Sequence, residues 1–89
     1  MITVNEAREL TNNKKAEEKR MFELSVQYYI DNDVTKAITR EAENGENKAY
    51  VKYNGNMYTQ DFRKRVIEVL ENAGYTTRPA NRYGFYVEW

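Results

Sequence analysis

Apolar and polar positions separate most cleanly between Thr59 and Trp89. Phe62, Val66, Val69, Leu70 and Ala73 recur at helical spacing with Ile67 flanking, while Arg63, Lys64, Arg65, Glu68 and Glu71 fill the other side. That pattern predicts an amphipathic helix over residues 59–74 with one buried face. Thr59 stands where a side-chain oxygen caps the first turn, and Asp61 where the helix dipole favours negative charge. Gly74 follows where a left-handed residue ends a helix, with Tyr75 placed to pack back on the last turn. Beyond it the period changes to two, predicting a C-terminal hairpin over 75–89. Tyr75-Thr76-Thr77-Arg78 reads as a short strand, Pro79-Ala80-Asn81-Arg82 as the turn, and Tyr83 to Trp89 as the last strand. Phe85, Val87 and Trp89 share a face, so Trp89 is expected in the core and a truncation there is expected to be destructive.

Residues 1–44 read as mainly helical. Thr3-Val4-Asn5-Glu6 fits a capping box that starts a helix at Val4. Thr11-Asn12-Asn13 weakens the helical signal, and Lys14-Lys15-Ala16-Glu17-Glu18-Lys19-Arg20 restores it with paired charges, so a short helix, a kink and a long helix are expected. The charge run reads as a solvated face. From Met21 onward two apolar stripes run along the helix. Phe22, Val26, Tyr29, Ile30 and Ala37 form one; Met21, Leu24, Tyr28, Ile38 and Ala42 form the second, rotated by more than a third of a turn. A helix lying on a sheet needs one stripe. The second predicts burial against another helix, either residues 4–10 of the same chain or a second copy of the protein. Asp31-Asn32-Asp33 interrupts the run and leaves one helix or two open. The triplet also resembles the start of a calcium loop, but the glycine and the closing glutamate of such a loop are missing.

Residues 45–58 predict a strand and a turn. Ala49, Val51 and Tyr53 alternate with lysines and Tyr50, Asn54-Gly55 is a strong hairpin signal, and Asn56-Met57-Tyr58 reads as a brief return strand. The elements together predict a single α+β domain, with N-terminal helices and a central amphipathic helix packed on one face of an antiparallel sheet of about three strands. So few strands cannot close, and the open edges invite a partner strand.

Composition narrows the chemistry. The chain has 89 residues, so it buries only roughly 60% of its unfolded surface and gains from self-association. Lys plus Arg and Asp plus Glu both number 14, and this neutrality argues against general attraction to nucleic acid or anionic membranes. There is no cysteine and no histidine, which removes thiolate chemistry, the usual general base and the commonest zinc ligands. Carboxylate pairs remain at Glu41 and Glu43, Asp31 and Asp33, and Glu68 and Glu71, of which only the last shares a helix face. No phosphate loop or nucleophile elbow occurs. The expectation is a protein that is not an enzyme and holds no metal or cofactor. The N-terminus lacks a basic start followed by an apolar stretch, and no apolar run reaches membrane-spanning length, so a cytoplasmic protein is expected.

Binding chemistry concentrates in the hairpin. Arg78 and Arg82 flank the predicted turn, Tyr83 and Tyr86 lie beside them, and Arg63 and Lys64 are placed to reach the same edge. Guanidinium groups bind phosphate and tyrosine rings stack on bases, so these six residues are the candidate site for a nucleotide or a strand of nucleic acid. An ordinary solvated hairpin with arginines packed along tyrosines is the competing reading. Met21, Leu24, Tyr28, Ile38 and Ala42 are the candidate oligomer interface.

The opening Thr-Val-Asn-Glu-Ala-Arg-Glu-Leu-Thr, the Ala37–Gly45 segment before a strand, and Gly74-Tyr75 leading to Tyr-Gly-Phe-Tyr-Val-Glu-Trp resemble small accessory proteins of tailed bacteriophages. The resemblance covers most of the chain as a pattern and brings no catalytic motif. It implies a phage accessory protein inside the host cell that acts on the host or its defences, or belongs to the virion. Joined to the binding chemistry of the hairpin, the expectation is an inhibitor that acts by binding, sequestering a host protein or a nucleotide signal. An oligomeric structural or virion-associated role is the alternative, and a nucleic-acid-binding module a further one.

Overall fold

The computed structural model describes all 89 residues. Helix α1 runs from Val4 to Tyr29, passes through a π-helical turn over Ile30–Val34, and continues as α2 from Thr35 to Glu43. Strand β1 (Lys48–Lys52) follows, then a 3-10 turn (Gly55–Tyr58), helix α3 (Gln60–Asn72), and strands β2 (Thr76–Asn81) and β3 (Gly84–Glu88). The strands form an antiparallel sheet in the order β1-β3-β2, so the last strand lies in the middle. The fold is therefore α+β with helices on one side of three strands.

Local signals explain most boundaries. The Thr3 hydroxyl accepts from the Glu6 amide at 3.2 Å and starts α1. Helix α3 ends in a Schellman motif: the Gly74 N–H donates to the Glu71 carbonyl at 3.0 Å, the Tyr75 N–H to the Leu70 carbonyl at 3.0 Å, and Gly74 sits at φ +99°. Asn44-Gly45-Glu46 ends α2 in the same way, with Gly45 at φ +82°.

Five local expectations need correction. Thr11-Asn12-Asn13 does not kink the helix; each residue costs less than about 1 kcal/mol of propensity, and the Thr11 hydroxyl donates to the Ala7 carbonyl at 3.0 Å inside a continuous α1. Asn54-Gly55 makes no hairpin, because the Asn54 side chain accepts from the Met57 amide at 3.1 Å and winds Gly55–Tyr58 into the 3-10 turn. Thr59 holds the N-cap position of α3 without a side-chain capping bond. In the C-terminal hairpin Pro79 lies within β2, an edge strand where its missing N–H is harmless. The turn is Arg82-Tyr83, and a register shift falls between Pro79 and Asn81. Trp89, finally, is 40% exposed and packs edge-on against Tyr75 at 6.4 Å. It trims the rim of the core and does not fill it.

The core lies between the sheet's inner face and the helices. Ala49, Val51, Phe85 and Val87 come from the sheet, Phe62, Val66 and Leu70 from α3, and Val26, Tyr29, Ile30, Val34 and Ala37 from the helix that spans α1 and α2. Phe22 and Tyr29 each meet the Phe62 ring edge-on, at 5.8 and 6.1 Å. Arg65 on α3 reaches Glu23 on α1 at 3.0 Å and Glu68 at 2.7 Å, tying the two helices together outside the core. Residues 4–20 take no part in this body. The radius of gyration is 17.3 Å and the long axis 64 Å, against about 12 Å for a compact chain of this length. No helix is long and apolar enough to cross a membrane.

Candidate functional site, an open sheet face

Helices cover one side of the sheet only, and the pairing register states what the other side presents. Cross-strand partners share a face. Lys48, Glu88 and Thr76 form one row, Tyr50, Tyr86 and Arg78 the next, and Lys52 pairs with Gly84 in the third. The outer face is thus two tyrosines among Lys48, Lys52 and Arg78, with Glu88 as its acidic residue.

The tyrosines are held in place. Their rings meet edge-on at 5.7 Å, and the Lys48 ammonium sits 4.7 Å from the centre of the Tyr86 ring. The Tyr50 ring lies across Gly84, where an added Cβ would come within 2.6 Å of the ring and 2.5 Å of the Val51 carbonyl. Only glycine admits that approach. The Tyr50 hydroxyl donates to Asn81 Oδ1 at 3.2 Å, and the same oxygen accepts the Tyr83 N–H at 2.8 Å, so the hairpin turn and the aromatic face are fixed by one side chain. Arg78 pairs with Glu88 at 3.2 Å, leaving its guanidinium mostly exposed.

A groove of about 430 Å³ runs beside this face between β1 and α2. Lys36 and Arg40 from α2 and Tyr50 and Lys52 from β1 line it, with Asp33 at one end. Arg40 also contacts Glu41 at 3.3 Å. Neutrality of the whole chain therefore conceals a local excess: five cations, Lys36, Arg40, Lys48, Lys52 and Arg78, lie on this face and its groove, and three carboxylates, Asp33, Glu41 and Glu88, stand among them. The composition shows only the sum.

The six hairpin candidates converge only in part. Arg78 and Tyr86 are neighbours on the outer face. Arg82 and Tyr83 form the turn, the guanidinium 5.0 Å from the ring. Arg63 lies on the helical side, 5.6 Å from the Tyr53 ring, in a cleft of about 410 Å³ between α3 and β2 that Ile67, Arg78, Pro79 and Phe85 also line, so Arg63 and Arg78 border one cleft. None of the four ion pairs includes Arg63. Lys64 is exposed on α3. Lys48, Tyr50, Lys52, Lys36 and Arg40 stand outside the set that the sequence singled out. Alternation in Lys48-Ala49-Tyr50-Val51-Lys52 already puts its polar residues opposite its buried ones, and that is the signal that could have found the first three.

The interface candidates divide as well. Met21, Leu24 and Tyr28 are exposed on α1, the last at 69%. Ile38 packs against the protein's own core, and Ala42 is exposed on α2. No family model, curated protein or solved structure matches the chain.

Proposed function

We propose that this chain is a non-catalytic accessory protein, of the phage type its sequence resembles, that acts by binding, and that its open sheet face takes a single-stranded nucleotide chain. The observation that carries this reading is the row of Tyr50, Tyr86 and Arg78 flanked by Lys48 and Lys52 on the face no helix covers. Bases stack on tyrosine rings and phosphates pair with the lysines and arginine around them. An open, shallow face suits an extended strand, since it leaves room on every side for a backbone to continue.

A second reading rests on Arg63. Its guanidinium has no carboxylate partner and borders an apolar cleft, an arrangement suited to a single nucleotide with an anionic end. One titration separates the two. Fluorescence anisotropy with a labelled single-stranded oligonucleotide, the matching duplex and a mononucleotide is expected to rank the single strand first, with affinity falling as salt rises. Stacking contributes about 1–3 kcal/mol per base, so Tyr86→Ala should weaken the single-strand complex roughly 5- to 160-fold while Arg63→Ala leaves it unchanged. Binding of the mononucleotide alone, lost in Arg63→Ala, would move the function to the cleft. No binding of either ligand would remove both readings.

A further inference from the structure

Residues 4–20 of α1 project from the body and pack on nothing in their own chain; all are exposed except Ala7, which is partly covered. Most helical stability in proteins comes from tertiary packing of an apolar face, and this segment has none within its own chain. Its apolar residues nevertheless fall in order. Ala7 and Leu10, then Met21, Leu24 and Tyr28, stand on one series of alternating three- and four-residue steps, the period of a coiled-coil seam. Lys14 and Glu17 occupy the two middle places of that series. The seam faces away from Phe22, Val26 and Tyr29, which hold α1 to the body, so a second helix can lie along it without meeting the core.

We infer that α1 is the self-association element of this protein, pairing antiparallel with α1 of a second copy about a two-fold axis between Lys15 and Ala16. In that register Leu10 meets the partner's Met21, Ala7 meets the partner's Leu24, and Thr3 meets the partner's Tyr28, each pair occurring twice. The central layers set Lys14 against the partner's Glu17. Charge chooses the orientation: a parallel, in-register pair would stack Lys14 on Lys14 and Glu17 on Glu17, two like-charge layers in the middle of the seam. The flanking positions agree with the antiparallel choice, since Thr11 then lies beside the partner's Glu18 and Asn13 beside the partner's Arg20. Val4, exposed in the single chain, comes to lie beside the partner's Ser25. A shallow groove of about 290 Å³, bounded by Met21, Leu24, Tyr28 and the loop residues Asn54 and Asn56, receives the partner's first turn. The occupant is thus a second copy, selected by a seam that is complementary to itself only when reversed. The seam lies on a different element from the sheet face, and the two readings stand or fall separately.

Sedimentation equilibrium of the full chain tests the inference. A dimer is expected, with Lys14→Glu shifting its dissociation constant upward by about tenfold or more through like-charge layers, and Lys14→Glu combined with Glu17→Lys restoring it. Both positions are solvent-exposed in the single chain, so these variants leave the body folded. Orientation is read by crosslinking, which the absence of native cysteine makes clean. Ala7→Cys protein mixed with Leu24→Cys protein and oxidised should yield the mixed covalent dimer. A wild-type chain that remains monomeric at every concentration, a larger assembly, or a disulfide joining two Ala7→Cys chains in preference to the mixed species would each overturn the proposal.

Discussion

Tyr29 joins the helices to the sheet through a single atom. Its side chain is fully buried, and its hydroxyl donates to the Lys52 carbonyl at 2.8 Å, so the last carbonyl of β1 is satisfied from inside the core. Burial pushes the phenol's pKa up from its ordinary 10.0, and the nearby charges of Asp33 and Tyr53 push it in the same direction. The folded protein therefore keeps this proton at a pH where the unfolded chain has released it. Stability from this group is complete below the ordinary tyrosine pKa and falls as the pH rises through and beyond it. Tyr29→Phe is expected to cost about 1 kcal/mol at neutral pH, through loss of the hydrogen bond, and to flatten the alkaline decline. Urea unfolding of both proteins at neutral pH and in the alkaline range checks this; parallel slopes would show that other groups govern the decline. Tyr29 is legible in the sequence as part of an apolar stripe at helical spacing, but its hydrogen bond is not. Residues 29 and 52 are joined by folding alone.

At the level of elements, α1 is two structures under one hydrogen-bond ladder. Its C-terminal part is held by Phe22, Val26 and Tyr29, and its N-terminal part stands in solvent unless a second helix covers it. Hydrogen exchange separates these cases. At a concentration above the wild-type dissociation constant and below that of Lys14→Glu, the amides of residues 8–20 are expected to be protected in the wild-type protein and to exchange close to free-peptide rates in Lys14→Glu, while residues 26–43 stay protected in both. Fast exchange of the arm in both proteins would mean that nothing covers it. Met21, Leu24 and Tyr28 are legible in the sequence as a second stripe. Its continuation through Lys14 and Glu17 is hidden because charged residues break an apolar count, and because Thr11-Asn12-Asn13 reads as an interruption. The π turn resolves the other ambiguity: Asn32 donates to the Tyr28 carbonyl and Gln27 to Asp31, both at 2.8 Å, so the triplet is absorbed as a wide turn that leaves the helix unbroken.

In the whole molecule the two proposed surfaces combine. An antiparallel pair with its axis at Lys15 and Ala16 places the two bodies at opposite ends of the seam, roughly 30 Å apart at Val26 by helical rise. Each carries one sheet face. A single strand long enough to bridge them should bind the dimer more tightly than a short one, by about 100-fold or more where linkage allows both faces to engage. Lys14→Glu should abolish that difference and leave short-strand affinity as it was. Anisotropy with short and long oligonucleotides against both proteins makes the comparison, and a length dependence that survives in Lys14→Glu would show that bivalency is not its source.

Local chain physics was enough to determine most of the elements, though not the 3-10 turn at Gly55–Tyr58 or the place of the hairpin turn. The Thr3 cap, the apolar period of α3, the positive-φ stops at Gly45 and Gly74 and the alternation of β1 are each contained within a few neighbouring residues, and the sequence states them directly. Tertiary structure alone decided which residues share a surface. The hairpin turn falls at Arg82-Tyr83 and a bulge follows Pro79, so Arg78 meets Tyr86 in the pairing register, while Arg63 stays on the helical side at a cleft that Arg78 borders from the sheet edge. Strand β1 pairs with β3 across more than thirty residues of chain, which brings Lys48, Tyr50 and Lys52 to that face. A one-residue slip of register would turn every side chain to the opposite side. That register is set by burial of Val51, Phe85 and Val87 against α3 and the long helix, a non-local condition that no window of the sequence contains.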